Sequence, residues 1–164
     1  MHGMTVIAQA CRPLKVASIL RVQGANIPQM LDYAHHAEEL NADAVVAMPP
    51  SCPQMQTEEG YHAYFAALAG VVRRPVVFQT SIPGFRGAMI PPVDLILRPA
   101  REFPNVAYVK EESASLVARM KEEVKHRDLL KGVFGAYGDV MVAVFNLYRE
   151  GHKDEAADAF AKWL

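Results

Sequence analysis

Five short apolar runs rich in β-branched residues punctuate this sequence at nearly constant intervals, and that rhythm limits the possible folds more than any other feature. They cover residues 14–20, 44–48, 75–82, 106–110 and 130–136, and the first four begin about 30 residues apart. Each reads as near-continuous rather than alternating, as expected of parallel strands covered on both faces.

The intervals carry helix signals. Asn26 and Pro28 open a helix over 29–40, with Met30, Ala34, Ala37 and Leu40 on one stripe. Thr57 is placed to N-cap a helix whose first turn holds Glu58 and Glu59, and Tyr61, Tyr64, Phe65 and Leu68 form its packing face. Pro91 and Pro92 start a third, running to about Phe103, and Ser113 or Ser115 can cap a fourth through Lys125. Asp139 opens a helix to about Arg149, Gly151 ends it, and a last one runs through Trp163.

Strand–helix alternation at this period implies βα units on a parallel sheet, either a barrel or an open doubly wound sheet. No G-x-G-x-x-G follows the first run, so a dinucleotide fold lacks support. A closed eight-stranded barrel takes roughly 250 residues, and this chain has 164. Five runs cannot close such a barrel. An open, flavodoxin-like binding module fits the strand number and stays an alternative.

Composition adds exclusions. The chain is 51% hydrophobic and 21% charged with a formal net charge of −1, which gives nucleic acid or an anionic membrane no electrostatic hold. No apolar run approaches the roughly 18 residues of a membrane-spanning helix, and the first residues lack the basic and apolar regions of a signal peptide. Cys11 and Cys52 have no metal-ligand spacing. Reduced thiols in a cytoplasmic, single-domain protein over 1–164 are the expectation.

In either parallel architecture the chemistry sits at the C-terminal ends of the strands. Lys110 ends the fourth run there. Partial desolvation at such a position favours a neutral amine able to condense with a ketone. The competing reading is a lysine snorkelling from a strand end and paired to Glu111 or Glu112. Gly24 suits a tight turn, and Thr80 and Ser81 can bond either a substrate or the local backbone. His35 and His36 are adjacent on a helix and cannot chelate one metal well.

Several segments occur in a telling order: Gly24-Ala25-Asn26, residues 37–45 (AEELNADAV), Pro49-Pro50, Pro83-Gly84 and Tyr108-Val109-Lys110-Glu111-Glu112. Together they resemble the dihydrodipicolinate synthase/N-acetylneuraminate lyase family. The resemblance implies a (β/α)8 TIM barrel, here an incomplete one of about five parallel strands. It also implies a homo-oligomer, tetramer or dimer, and a lyase that needs no cofactor and no metal. Lys110 would form a Schiff base with a small-molecule 2-keto acid. From the residues themselves, Glu111 or Glu112 could hold or relay a proton near the imine while one of them caps the next helix, and Glu112 is the expected catalytic partner. Gln79, Ser81, Gly84, Arg86 and Gly135 are the expected substrate-site residues, with Arg86 either a bidentate carboxylate binder or a solvated loop arginine.

Departures from the family pattern are equally specific. Gln79 stands where the family has a proton-relaying tyrosine, and Ser51 and Cys52 stand where paired tyrosines commonly follow Pro-Pro. The resemblance places family segments before residue 14, between 138 and 139, and after 164 that this sequence does not contain. The Lys-Glu-Glu strand and the Phe-Gly-x-x-Gly strand end are most similar to the branch acting on 2-keto-3-deoxy sugar acids, commonly as dehydratases.

Overall fold

A computed structural model of the chain describes residues 1–50, 52–80, 90–113, 115–135 and 138–162. It divides into two compact units, Met1–Val133 and Phe134–Leu164. The first unit begins with α1 (His2–Leu14) and then alternates: β1 (Ile19–Arg21), α2 (Ile27–Glu39), β2 (Ala44–Ala47), α3 (Glu58–Val71), β3 (Val76–Gln79), α4 (Val93–Glu102), β4 (Val106–Lys110) and α5 (Leu116–Glu123). The boundary between the units falls within β5 (Gly132–Phe134), and α6 (Gly138–Arg149) and α7 (Lys153–Ala161) belong to the second.

The sheet runs β1-β2-β3-β4-β5, each strand beside its sequence neighbour, and the first three pairings are parallel. A doubly wound sheet reverses its strand order at a switch point. This order has no reversal. The sheet is therefore wound in one direction, as a barrel is, and the flavodoxin-like alternative is excluded. Of the barrel architecture, the chain carries a five-stranded part.

Strand alternation, interrupted by a β-bulge or irregularity in the β3–β4 register that leaves Ala107 without a partner in β3, separates two faces. Leu20, Val22, Val45, Ala47, Val76, Phe78, Val106 and Val109 point outward and join the core with Met30, Ala34, Tyr64, Phe65, Leu68, Ile96 and Leu97 of the helices. Phe65 stacks on Phe78 with centroids 4.0 Å apart. The inward face is less enclosed. Ile19 is 46% exposed at its edge, while Val46, Gln79, Tyr108 and Lys110 are half-buried.

The helix ends show why these segments fold locally. Asn26 accepts a hydrogen bond from Gln29 N–H and Thr57 from Gly60 N–H, so both expected caps are formed. Gly24 is required by close approach. A Cβ there would lie 2.4 Å from Met30 N, and Tyr64 Oη bonds both the N–H and the carbonyl of this residue. Ser113 and Ser115 do not cap α5 through their side chains. Ser115 precedes the helix without a capping bond, and among the described residues Ser113 Oγ makes no hydrogen bond.

The clearest correction is α1. Residues 14–20 read as a strand because they are apolar, but the first part closes the preceding helix. Lys15 takes the left-handed conformation (φ 54°) and its N–H bonds Arg12 O, leaving only Ile19–Arg21 as strand. Arg12 donates to Leu40 O at 2.8 Å, and Thr5 Oγ1 lies 3.1 Å from His36 Nε2, which ties α1 to α2. In the second unit α6 and α7 pack together with Ala156 buried, and Gly151 turns the chain between them at φ 91°. Among the described residues, no helix is long and apolar enough to cross a membrane.

Candidate active site

Lys110 ends β4 in register with Gln79 of β3. Because alternate residues share a face, Lys110 and Glu112 lie on the inward side and Glu111 on the outward side. Lys110 Nζ is 2.8 Å from Glu112 Oε1, with side-chain exposures of 29% and 10%. Gln79 Nε2 donates to the other oxygen, Glu112 Oε2. One carboxylate therefore gathers the amine and the amide into a triad at the sheet's C-terminal edge.

Glu111, one residue away, is buried outright. It accepts from Thr80 Oγ1 at 2.8 Å, Ser113 N at 2.7 Å and Arg119 Nε at 2.8 Å. Burial alone would push its carboxyl up, and it is the largest single influence. The bonds from Ser113, Arg119 and Thr80 together outweigh it and hold the group below the usual carboxylate range. Glu123, also buried, lies 3.9 Å from Arg119 Nη2. Burial, then the neighbouring Glu111, pushes it up to about 8. Among the described residues, neither of its oxygens has a hydrogen-bond partner. The two neighbouring carboxyls are thus driven apart, Glu111 toward the ionised form beside Arg119 and Glu123 toward the protonated form.

Of the residues singled out from sequence, Lys110, Glu112 and Gln79 are brought together, and the ion pair of Lys110 with Glu112 is also the pairing that the competing, structural reading of this lysine expects. Ser81, Gly84 and Arg86 lie outside the described residues, as does Ser51. Gly135 is half-buried, directly after β5 in the second unit. Thr80 bonds backbone and side chains of β4 and its extension, the local alternative of its two expected roles. Arg119 and Glu123 were not anticipated. Their signal is that Glu123 falls three residues after Met120 and seven after Leu116, on the helix's apolar stripe.

Elsewhere, a cleft of about 450 Å³ lined by Cys11, Arg12, Lys15, Ser18, Asn41 and Asp43 opens at the N-terminal ends of β1 and β2. It is at the opposite end of the strands from Lys110. Ser18 N–H and Oγ–H bind Asp43 there, at 2.7 and 3.0 Å, and lower its carboxyl. Among the described residues, no group of three or more His, Cys, Asp or Glu is arranged to hold a metal.

Comparison with known proteins finds similar sequences and similar folds. No family model matches the chain. The 4-hydroxy-tetrahydrodipicolinate synthase of Chlorobium limicola is 30% identical over 105 residues, which are 62% of this chain and 34% of that protein. The enzyme of that name from Helicobacter acinonychis is 29% identical over 122 residues, 71% of this chain and 40% of that one. Among solved structures, YagE of Escherichia coli K12, a dihydrodipicolinic acid synthase family protein in complex with pyruvate, superposes with a TM-score of 0.80. The match is 19% identical and covers 95% of this chain and 61% of YagE. Dihydrodipicolinate synthase from Aquifex aeolicus gives a TM-score of 0.74 at 22% identity, over 95% and 60% of the two chains. This chain thus spans 34 to 40% of the length of those two curated relatives. In sequence it is similar to 4-hydroxy-tetrahydrodipicolinate synthases, and in fold it carries a five-stranded part of the barrel of the dihydrodipicolinate synthase structures it matches.

Proposed function

We propose that this chain carries the reacting lysine of a class I lyase, with Lys110 condensing with the ketone of a 2-keto acid. The observation that carries this reading is the triad at the end of β4, where the amine faces Glu112 at 2.8 Å on the inward side of the sheet. Glu112 is placed to take the proton that Lys110 sheds before attack. The amine adds to the C2 carbonyl, water leaves, and the protonated imine accepts the electron pair when a C3 proton departs or a C3–C4 bond breaks. Loss of a β-hydroxyl from the resulting enamine is dehydration. Carbon–carbon cleavage is the aldol direction. Gln79 cannot relay protons as a phenol does, which among the described residues leaves Glu112 as the acid–base group beside the imine. The substrate class closest to these strand ends is a 2-keto-3-deoxy sugar acid, and pyruvate, the ligand held by YagE, is the simplest probe.

The same reading carries a homo-oligomer, tetramer or dimer. Exposed Val142, Phe145 and Tyr148 on α6 and Val6 and Ile7 on α1 support it, since large apolar side chains gathered on a helix favour association.

A second reading is favoured by a separate observation. The inward face remains partly open, with Ile19 46% exposed, and a desolvated pocket strengthens every charge interaction that catalysis uses. On this reading the five-stranded part binds or assembles but does not turn over substrate. Proton exchange decides between them. Pyruvate in deuterium oxide exchanges its methyl protons through an imine–enamine cycle, followed by proton NMR. The lyase reading expects exchange well above the buffer rate, returned to that rate by Lys110→Met. Equal rates for wild type and variant would sink it.

A further inference from the structure

Behind the triad, one hydroxyl organises the whole end of β4. Thr80 N–H donates to Lys110 O at 3.0 Å. Thr80 Oγ1 accepts from Glu112 N–H at 2.7 Å and lies 2.8 Å from Glu111 Oε1. Lys110 O is also near this oxygen, at 3.5 Å, but a hydroxyl has one proton and the shorter, charge-assisted contact takes it. Polarity is therefore fixed: Glu112 N–H donates to Thr80, and Thr80 O–H donates to the Glu111 carboxylate. That order requires Glu111 to remain an acceptor. Arg119 secures this at 2.8 Å, is itself anchored by Pro91 O at 2.9 Å, and has Glu123 at its far side.

We infer that Thr80 is a positioning residue for the Lys110–Glu112 pair, with the buried Glu111–Arg119–Glu123 cluster as its anchor. Thr80 touches Lys110, Glu111 and Glu112 in succession, so it sets where the strand ends and which way the next residues turn. Glu112 owes its inward direction to its backbone N–H being held from the opposite face. Without the hydroxyl, that N–H and Glu111 Oε1 would each lose a partner, and the turn that presents Glu112 to Lys110 would have no fixed geometry. The inference rests on the reading of Lys110 as the reacting amine only in what it is for. The geometry it asserts is testable without substrate.

The test uses trace acetic anhydride as an amine probe, with each lysine's labelling rate followed against pH by peptide mass mapping. Thr80→Val keeps the shape and removes the hydroxyl, while Thr80→Ser keeps the hydroxyl. The expected result is a Lys110 rate altered about two- to tenfold in Thr80→Val, the fold-change of roughly one hydrogen bond. Lys121 and Lys125 should be unchanged, and Thr80→Ser should follow the wild type. A Thr80→Val profile that superimposes on the wild type, or a Ser profile displaced as far as that of Val, would overturn the inference. Should Thr80→Val fail to fold, amide hydrogen exchange on the unmodified chain decides: Glu112 N–H must be protected like the amides of β4, and loop-like exchange refutes the assignment. Pyruvate proton exchange on the same samples separates the two claims. Its absence in the wild type removes the lyase reading, and labelling with amide exchange still decides the role of Thr80.

Discussion

The inward and outward faces at the end of β4 hold the same kinds of groups, carboxylates with a cation, and treat them in opposite ways. Inward, Lys110 and Glu112 form a single contact of 2.8 Å and keep partial access to solvent. Outward, Glu111 is buried and accepts bonds from Thr80, Ser113 and Arg119. Consecutive residues of one strand reach both environments because side chains alternate across a sheet. A buried charge must be satisfied in the folded state, so the outward carboxylate is committed to structure. On the proposed function, Lys110, whose ion-pair partner among the described residues is Glu112, exchanges that partner for a substrate. The proposed chemistry and the scaffold are thus one residue apart.

This contrast predicts different readouts for changes on the two faces. Glu112→Gln, inward, should slow pyruvate proton exchange by about 10²- to 10⁴-fold, the usual contribution of a general acid–base group. Stability should fall by less than in the outward variant below, because Lys110 keeps 29% of its side-chain exposure and can be solvated when its partner is lost. Equal losses of stability and exchange would erase the distinction between the faces. Arg119→Met, outward, should destabilise the fold by about 3–5 kcal/mol in urea melts, because Glu111 then stays buried without its guanidinium.

Glu123→Gln sharpens the outward side through pH. The folded chain holds the Glu123 proton up to about pH 8, whereas an unfolded carboxyl near 4.5 has already released it. Stability from this group is therefore complete at low pH and falls as pH rises from about 4.5 through 8. The Gln variant lacks that loss, so its advantage should grow across this range and level off above it, at an order of a few kcal/mol. Melting temperatures of both proteins from pH 5 to pH 9 would show whether the curves diverge; parallel curves would contradict a protonated Glu123. Glu111 works in the other direction, stabilising at neutral pH and losing its contribution on acidification below the usual carboxylate range. The smallest effect is a baseline away from both faces. Asn26→Ala removes one helix cap of α2 and should cost about 1 kcal/mol without altering exchange per folded molecule.

The parts of the fold legible in the sequence are those set by local chemistry. Asn26 with Pro28 and Thr57 with Glu58 mark the starts of α2 and α3, because capping residues satisfy backbone donors wherever the helix then packs. The spacing of apolar runs gave the parallel sheet, and its sequential order needed the three-dimensional pairing. The helix α1 was hidden because its C-terminal residues share an apolar run with β1, and only the left-handed turn at Lys15 divides them. At the site, Lys110 was visible as the one lysine ending an apolar strand. Arg119 and Glu123 were not, because charged residues on a short helix normally face water, and their burial depends on how α5 packs against α4 and reaches Glu111 after β4.

Reductive trapping on Lys110 tests the central claim most directly. The chain is incubated with pyruvate and sodium borohydride, digested, and the modified lysine located by peptide mass mapping. The prediction is one reduced pyruvyl adduct, on Lys110, present in the wild type and absent from Lys110→Met. An adduct spread over surface lysines such as Lys121 and Lys125, or unmodified Lys110 under conditions where the folded chain is intact, would contradict it.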